Sequence, residues 1–290
     1  MRHKAIYLYL FAILATFALL TACGGGTETA TTEEPAPAAE PQETAPAAEP
    51  ELRWEAGGLT VYAMADSPTF PGASLALENV EEGQELPSGP VAFDFTVDGY
   101  DLGEQTSDAA DKGIANSANG QHIHLILNNG PYSAHYEADF EKELEDGHYV
   151  ALAFLSRSYH ESLKNPEAAL VRQFTVGDAG EHEAADLSAP HLFYSRPKGS
   201  YAGADTGKLM LDFYLVNTDL ATDGNKVRAT INGNELVLPK WVPYLIEGLP
   251  MGEVTIQLEL IDADGNVVPG PFNTVERTVT LEPAMDEEAG

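Results

Sequence analysis

This 290-residue chain has a single cysteine, 15 basic residues against 46 acidic ones, and no long stretch with the apolar spacing of an amphipathic helix beyond its first segment. Each shortage removes a class of protein. One cysteine leaves no disulfide framework, no thiol pair and no cysteine-based metal site, so any folded domain is held by its core alone. A formal charge of −31 repels phosphate backbones and anionic lipid head groups, so nucleic acid is not a partner. Such a surface keeps a protein dispersed, and a salty medium tolerates it through screening. Without crossover helices the folded part is neither a helical bundle nor a doubly wound α/β domain.

The one cysteine stands at an informative place. Arg2, His3 and Lys4 precede an apolar run from Ala5 to Leu20, and Leu20-Thr21-Ala22-Cys23 has the form of a bacterial lipoprotein cleavage site. Residues 1–22 are expected to be a signal peptide and Cys23 to carry thioether lipid and an acyl chain such as palmitate, more than the two signals stable anchoring needs. The alternative is a plain membrane-spanning helix, since the run is close to the length that spans a bilayer. Through its anchor the membrane becomes a partner, and Gly24 lacks the aspartate that retains some lipoproteins at the inner membrane, which points to the outer one. Residues 23–51 are Gly, Thr, Glu, Pro and Ala, with Ala36-Pro37-Ala38-Ala39-Glu40-Pro41 recurring at Ala45 to Pro50. Such a composition buries no core and extends on the order of 80 Å as a spacer.

From Leu52 onward short alternating strands are separated by Gly, Pro, Asn and Asp. Val91 to Asp98, His148 to Leu155 and Val254 to Ile261 show the alternation most clearly. The chain also resembles itself: Val91-Ala92-Phe93-Asp94-Phe95 matches Leu209 to Phe213, Leu127-Asn128 matches Ile231-Asn232, and Arg172 to Val176 matches Arg277 to Leu281. The fold class is therefore all-β, two tandem Ig-like or fibronectin-like antiparallel sandwiches over residues 52–178 and 189–282. Residues 179–188 form the linker and residues 283–290 an acidic tail.

The duplication shows what the first copy has in addition. Phe95 to Leu127 is much longer than Phe213 to Ile231, the excess lying in an inserted loop at residues 103–120 that ends on Gln121-His122-Ile123-His124. Residues i and i+2 of a strand share a face. His122 and His124 correspond to Lys226 and Arg228, so they are expected to look outward, to solvent or to the loop. With Asn129-Gly130 as a two-residue hairpin turn, His135 lies opposite His124 and Glu137 opposite His122. His122, His124, His135 and Glu137 then converge as ligands for a divalent transition metal such as zinc, copper or nickel. A solvated polar face is the other reading.

A second elaborated loop, Leu155 to Ser162, replaces the bare turn Asp262 to Asn266. Arg157, Tyr159 and His160 are candidate ligand-binding residues, with Arg196 and Lys198 from Ser195 to Tyr201 completing a site for phosphate or another anion. Alternatively, Tyr159 packs the loop in place. Ser158 with His160 as base would make a hydrolase, though no oxyanion hole is recognisable. Asp262-Ala263-Asp264-Gly265-Asn266 opens like a calcium loop, but Asn273 holds the twelfth position, so it reads as a hairpin turn. Trp241 and Tyr244 are candidates for an aromatic platform or for core.

Gly120 to Leu125 with Asn129 to Tyr132, Phe154 to Ser162, and Leu192 to Gly199 with Asp212 to Asn217 resemble a family of uncharacterised Gram-negative envelope lipoproteins, some labelled phosphopeptide-binding protein. The resemblance spans about Leu59 to Leu281 and implies an envelope location without implying a reaction. The expectation is a non-catalytic, lipid-anchored envelope protein whose first sandwich presents a site to an envelope ligand or protein partner. Metal binding or delivery, anion binding through Arg157 and Arg196, and hydrolysis are the alternatives.

Overall fold

The computed structural model describes residues 52–284; the expectations for the signal peptide, Cys23, the spacer up to residue 51 and the last six residues of the tail fall outside them. Among the described residues no helix is long and apolar enough to cross a membrane. The strands in chain order begin with β1 (Arg53–Ala56), β2 (Leu59–Ala63), β3 (Ser74–Leu77), β4 (Gln84–Leu86) and β5 (Gly89–Asp98). A single helical turn, α1 (Ala109–Lys112), follows, then β6 (His122–Leu127), β7 (Ser133–His135), β8 (Asp139–Leu144), β9 (Gly147–Ser156) and β10 (Ala169–Val176). The second half holds β11 (His191–Arg196), β12 (Ser200–Ala202), β13 (Lys208–Val216), β14 (Lys226–Ile231), β15 (Asn234–Leu238), β16 (Tyr244–Glu247), β17 (Gly252–Ile261) and β18 (Thr274–Glu282).

The protein is all-β, and its two halves repeat one strand order. In the first, β3-β5-β8 faces β4-β10-β9-β6-β7; in the second, β11-β13-β16 faces β12-β18-β17-β14-β15. In both, the short strand that switches sheets pairs parallel with the last strand while its neighbours pair antiparallel. This is the plan of an Ig-like sandwich. Inward residues at every second position fill the two cores. Phe93, Phe95, Ile123, Leu125, Leu155 and Phe174 fill the first, and Leu211, Phe213, Val227, Ile231, Ile256 and Leu258 the second.

Residues 53–63, which strand spacing counted with the first sandwich, pair elsewhere. β2 lies against β16, so the β1–β2 hairpin extends a sheet of the second sandwich, with Leu59 and Val61 in its core. An edge strand offers unpaired backbone groups to any alternating segment within reach, and nothing local in Leu59 to Ala63 says which edge it will take.

The two sandwiches pack directly on each other. Ile126, Tyr132, Val150, Leu152 and Phe154 of the first meet Phe193, Tyr214 and Phe272 of the second, with Phe154 stacked on Tyr214 at 5.1 Å between ring centroids. Both faces of β9 are therefore apolar: Ala151, Ala153 and Leu155 point into the first core, Val150, Leu152 and Phe154 into the junction. Polar groups pin the same surface. Asp212 on β13, fully buried, receives Lys164 Nζ at 2.8 Å and the Ser162 backbone N–H at 3.0 Å. Asn129 in the β6–β7 turn donates to Leu192 O and Phe272 O and accepts from Tyr194 N, all within 3.0 Å.

Candidate metal centre

His122 and His124 share one face of β6, opposite Ile123 and Leu125, as the strand period requires. They point out of the first core but not into solvent; both are fully buried, because Tyr132, Tyr136, Phe154 and His160 of the same sandwich close over the face that is partly exposed at Lys226 and Arg228 of β14. The expected outward exposure is thus corrected by packing: the strand position that leaves Arg228 partly exposed in one copy puts His124 beneath Tyr132 and beside Phe154 in the other.

The expected partners also change. In the β6–β7 hairpin Ile123 is paired with His135 and His124 with Ala134, one residue away from the register that an Asn129-Gly130 turn implies. Asn128 and Asn129 are the residues in left-handed conformation, φ 49° and 52°, and Gly130 N bonds Leu127 O, so the turn is Asn128-Asn129 and one extra residue between Gly130 and Ser133 sets the observed pairing. A slip of one residue sends every side chain to the other face. His135 accordingly stacks on Phe140, centroids 3.3 Å apart, and binds Ser133 Oγ, while Glu137 is exposed. The set His122, His124, His135 and Glu137 does not converge.

His160 takes the third place instead. Its Nδ1 lies 3.1 Å from His122 Nε2, and His122 Nε2 lies 2.8 Å from His124 Nε2. The three ligand atoms all fall within 4.8 Å of one another. His160 reaches this position from a tight hairpin at the end of β9, closed by Arg157 N to Glu161 O and His160 N to Arg157 O, with His160 itself at φ 70°. The inserted loop clamps that hairpin from outside: Thr106 and Ser158 exchange backbone-to-hydroxyl bonds in both directions, and Ser117 N donates to Ser158 O. The loop also supplies Gly120 O, which lies 2.8 Å from His122 Nδ1. Gly120 has φ 84°, and a Cβ there would collide with Gly103 O.

This contact fixes the tautomers. A carbonyl oxygen only accepts, so His122 Nδ1 carries the proton and Nε2 keeps its lone pair. Both His124 Nε2 and His160 Nδ1 face that one lone pair; without an ion it accepts from one of them, and the Tyr132 hydroxyl, 3.4 Å from His160 Nδ1, is the other partner within reach. A metal ion accepts all three lone pairs at once. Imidazole nitrogens about 2.0–2.1 Å from a tetrahedral ion stand roughly 3.3 Å apart; the two contacts to His122 Nε2 are somewhat shorter, so the rings part slightly to admit an ion, and the His122 N–H held by a backbone carbonyl is the usual support of a ligating histidine. Burial lowers the pKa of His122 to about 4, the bond to Gly120 O opposing this and the charges of Arg196 and Lys198 adding to it. His124 and His160 are also held well below the usual imidazole range, by burial first and then by the neighbouring imidazoles and the same cations. All three rings are therefore neutral at ordinary pH, the form in which imidazole ligates.

Aromatic rings wall the cluster. Tyr132 stacks on His124 at 3.6 Å between centroids, Phe154 meets it edge-on at 5.1 Å, and Tyr136 lies 5.0 Å from His122. Arg196, nearly fully buried, donates Nη1 to Tyr132 Oη at 2.7 Å, and that hydroxyl lies 3.4 Å from His160 Nδ1. Lys198 Nζ stands 3.9 Å over the Tyr132 ring and donates to Tyr132 O.

The remaining expected site residues have other engagements. Arg157 pairs with Glu161 at 3.3 Å, donates to Pro68 O at 2.6 Å and lies over Phe70, so it does not join Arg196 in an anion site. Tyr159 is wholly buried among Met64, Ile114, Met210 and Leu245 and anchors the loop. Ser158 Oγ accepts from Thr106 N, and His160 Nδ1 is turned to His122, so no serine–histidine pair is formed. Asp262 caps its own turn through Asp264 N and Asn266 N. Trp241 donates to Phe213 O and Tyr244 is fully buried, so the two form no open platform.

No family model matches the chain, and no curated protein matches it. Solved structures similar to it include fibronectin(III)-like modules of Clostridium thermocellum CbhA, at 12% identity and a TM-score of 0.26, covering 74% of this chain and 98% of that one. The two tandem V-type regions of the chitin-binding protein VCBP3 are similar at 6% identity and a TM-score of 0.21, covering 72% and 99%. The Bacteroides ovatus glucan-locus protein SGBP-B, solved with a mixed-linkage heptasaccharide, is similar at 11% identity and a TM-score of 0.21, covering 77% and 70%. Likeness at this level bears on neither ligand nor activity.

Proposed function

We propose that this protein is a non-catalytic, lipid-anchored envelope protein that binds a transition-metal ion at His122, His124 and His160. One observation carries the reading: Gly120 O fixes the His122 tautomer, leaving a single lone pair against which two further imidazole nitrogens are pressed in a buried, aromatic-walled site. The spacer and the lipid on Cys23 would hold this centre away from the membrane surface. Elemental analysis and metal titration of the purified full chain test it. One transition-metal ion per chain is expected, with His122→Ala and His160→Gly each losing at least about 100-fold in affinity, since even supporting residues are worth 10–100-fold. Absence of any tight metal, or equal affinity in His160→Gly, overturns the reading. Mass spectrometry of the amino-terminal peptide separately tests the lipid on Cys23.

A further inference from the structure

Every donor in the centre is a neutral imidazole nitrogen; among the described residues no carboxylate, cysteine or other anionic side chain belongs to the set. The bound complex therefore carries the full charge of its ion. Close by stand two cations, and none of the ion pairs formed among the described residues includes Arg196 or Lys198. Arg196 is 6% exposed, its Nε has no hydrogen-bond partner, and only the Tyr132 hydroxyl stands between its Nη1 and His160. Asp212 and Glu161 are engaged by Lys164 and Arg157, so in a chain with three times as many acidic as basic residues the spot beside Tyr132 keeps two cations with no carboxylate paired to them. Repulsion between an incoming ion and these groups grows in proportion to the ion's charge and is weakly screened away from water.

Coordination number points the same way. Zinc in a protein is closed by a fourth ligand, a side chain or a water. Here His122 and His124 are fully buried and His160 is partly so, the Tyr132, Tyr136 and Phe154 rings lie against the cluster, and the one other side-chain donor at its edge is the neutral Tyr132 hydroxyl, 3.4 Å from His160 Nδ1. A set of three neutral nitrogens suits a monovalent d¹⁰ ion, which is satisfied by three ligands, better than zinc, which requires a fourth.

We infer that the centre selects monovalent copper, Cu(I), over zinc, nickel and divalent copper. The inference rests on the metal-binding reading above and narrows it. The full chain, purified in detergent, is titrated anaerobically with Cu(I) against a chromophoric Cu(I) chelator, and separately with Zn(II), Ni(II) and Cu(II) against matched chelators. The expected result is one Cu(I) per chain, bound at least 100-fold more tightly than any divalent ion, with an X-ray absorption edge of three-coordinate Cu(I) bound by nitrogen.

The half-exposed Lys198 allows a variant that spares the core. Lys198→Met is expected to tighten Zn(II) at least threefold more than it tightens Cu(I). Arg196→Gln, if it folds, shifts the ratio the same way and further. Zn(II) or Ni(II) binding as tightly as Cu(I), with loss in the His122 and His160 variants, overturns the choice of ion and leaves the metal centre standing. Failure of every ion to bind at these histidines overturns both.

Discussion

His160 occupies in its hairpin the position that Gly265 occupies in the corresponding hairpin of the second sandwich. Both turns close with the same pair of bonds, Arg157 N to Glu161 O and His160 N to Arg157 O in one, Asp262 N to Asn266 O and Gly265 N to Asp262 O in the other. Both put the fourth residue in the left-handed region, φ 70° at His160 and φ 85° at Gly265. Glycine enters that region freely; an L residue gives up roughly 1 kcal/mol there, although histidine is among the side chains found in it more often. The first copy accepts this cost at the one residue that completes the histidine cluster.

Substitution at these two positions separates backbone from site. A Cβ on Gly265 meets nothing within 4 Å, so Gly265→Ala isolates the conformational cost and is expected to lower stability by about 1 kcal/mol in urea unfolding. His160→Gly relieves the turn while adding freedom to the unfolded chain, two effects of similar size and opposite sign. The backbone effects therefore nearly cancel, and the remaining loss, about 1–3 kcal/mol, is that of the ring packed against His122, His124 and Tyr132, while metal affinity collapses.

His135→Ala is the control for register. The ring stacks on Phe140 on the far side of β7 from the cluster, so metal affinity in a competition titration should change less than about twofold, in contrast to the roughly 100-fold or greater loss on removing His124. A large loss in His135→Ala would show that the hairpin adopts the other register in solution.

Acid should destabilise the metal-free protein well before its surface carboxylates titrate. His122 and His135 have folded pKa values lowered to about 4 by burial, against about 6.5 unfolded. Between those limits the unfolded chain holds more protons, so their contribution is complete above about pH 6.5 and is lost as pH falls toward 4, at up to about 1.4 kcal/mol per pH unit for buried His122 and less for His135, whose partial exposure screens it. His124 and His160, also held well below the usual imidazole range, add to the loss in acid. Buried Glu161, whose pKa is raised, acts in the opposite sense, favouring the folded state as it gains its proton. Urea midpoints at pH 7.5, 6 and 5 should fall in that order, and His122→Gln should flatten the fall.

The junction depends on a few polar anchors. Asp212→Ala removes the partner of Lys164 and of the Ser162 N–H in a buried setting and should cost about 3 kcal/mol. Asn129→Asp keeps the acceptor for Tyr194 N but turns a donor into an acceptor facing Leu192 O and Phe272 O. A comparable loss is expected, read as a shift in the unfolding midpoint with the slope unchanged.

Much of the architecture was legible in the residues themselves. Period-two alternation in Val91 to Asp98 and Val254 to Ile261 marked strands, the absence of helical spacing excluded crossovers, and the internal likeness announced two copies of one strand order. His122 and His124 sharing a face, and corresponding to Lys226 and Arg228, followed from the strand period and the alignment of the two copies. The inserted loop was visible as excess length. These features are local, or repeat with a fixed offset, and so survive in one dimension.

The tertiary structure decided the rest. Which edge Leu59 to Ala63 joins, whether the His122 face meets water or Tyr132, and which third imidazole reaches it all depend on contacts between segments far apart in the chain. The register of β6 on β7 turned on the place of the Asn128-Asn129 turn and one extra residue after it, and His160 approaches His122 only because the β9 hairpin folds back beside it. A strand period tells which side a residue is on; what lies on that side is set by the packing of whole sheets, which burial drives and no short stretch of sequence specifies.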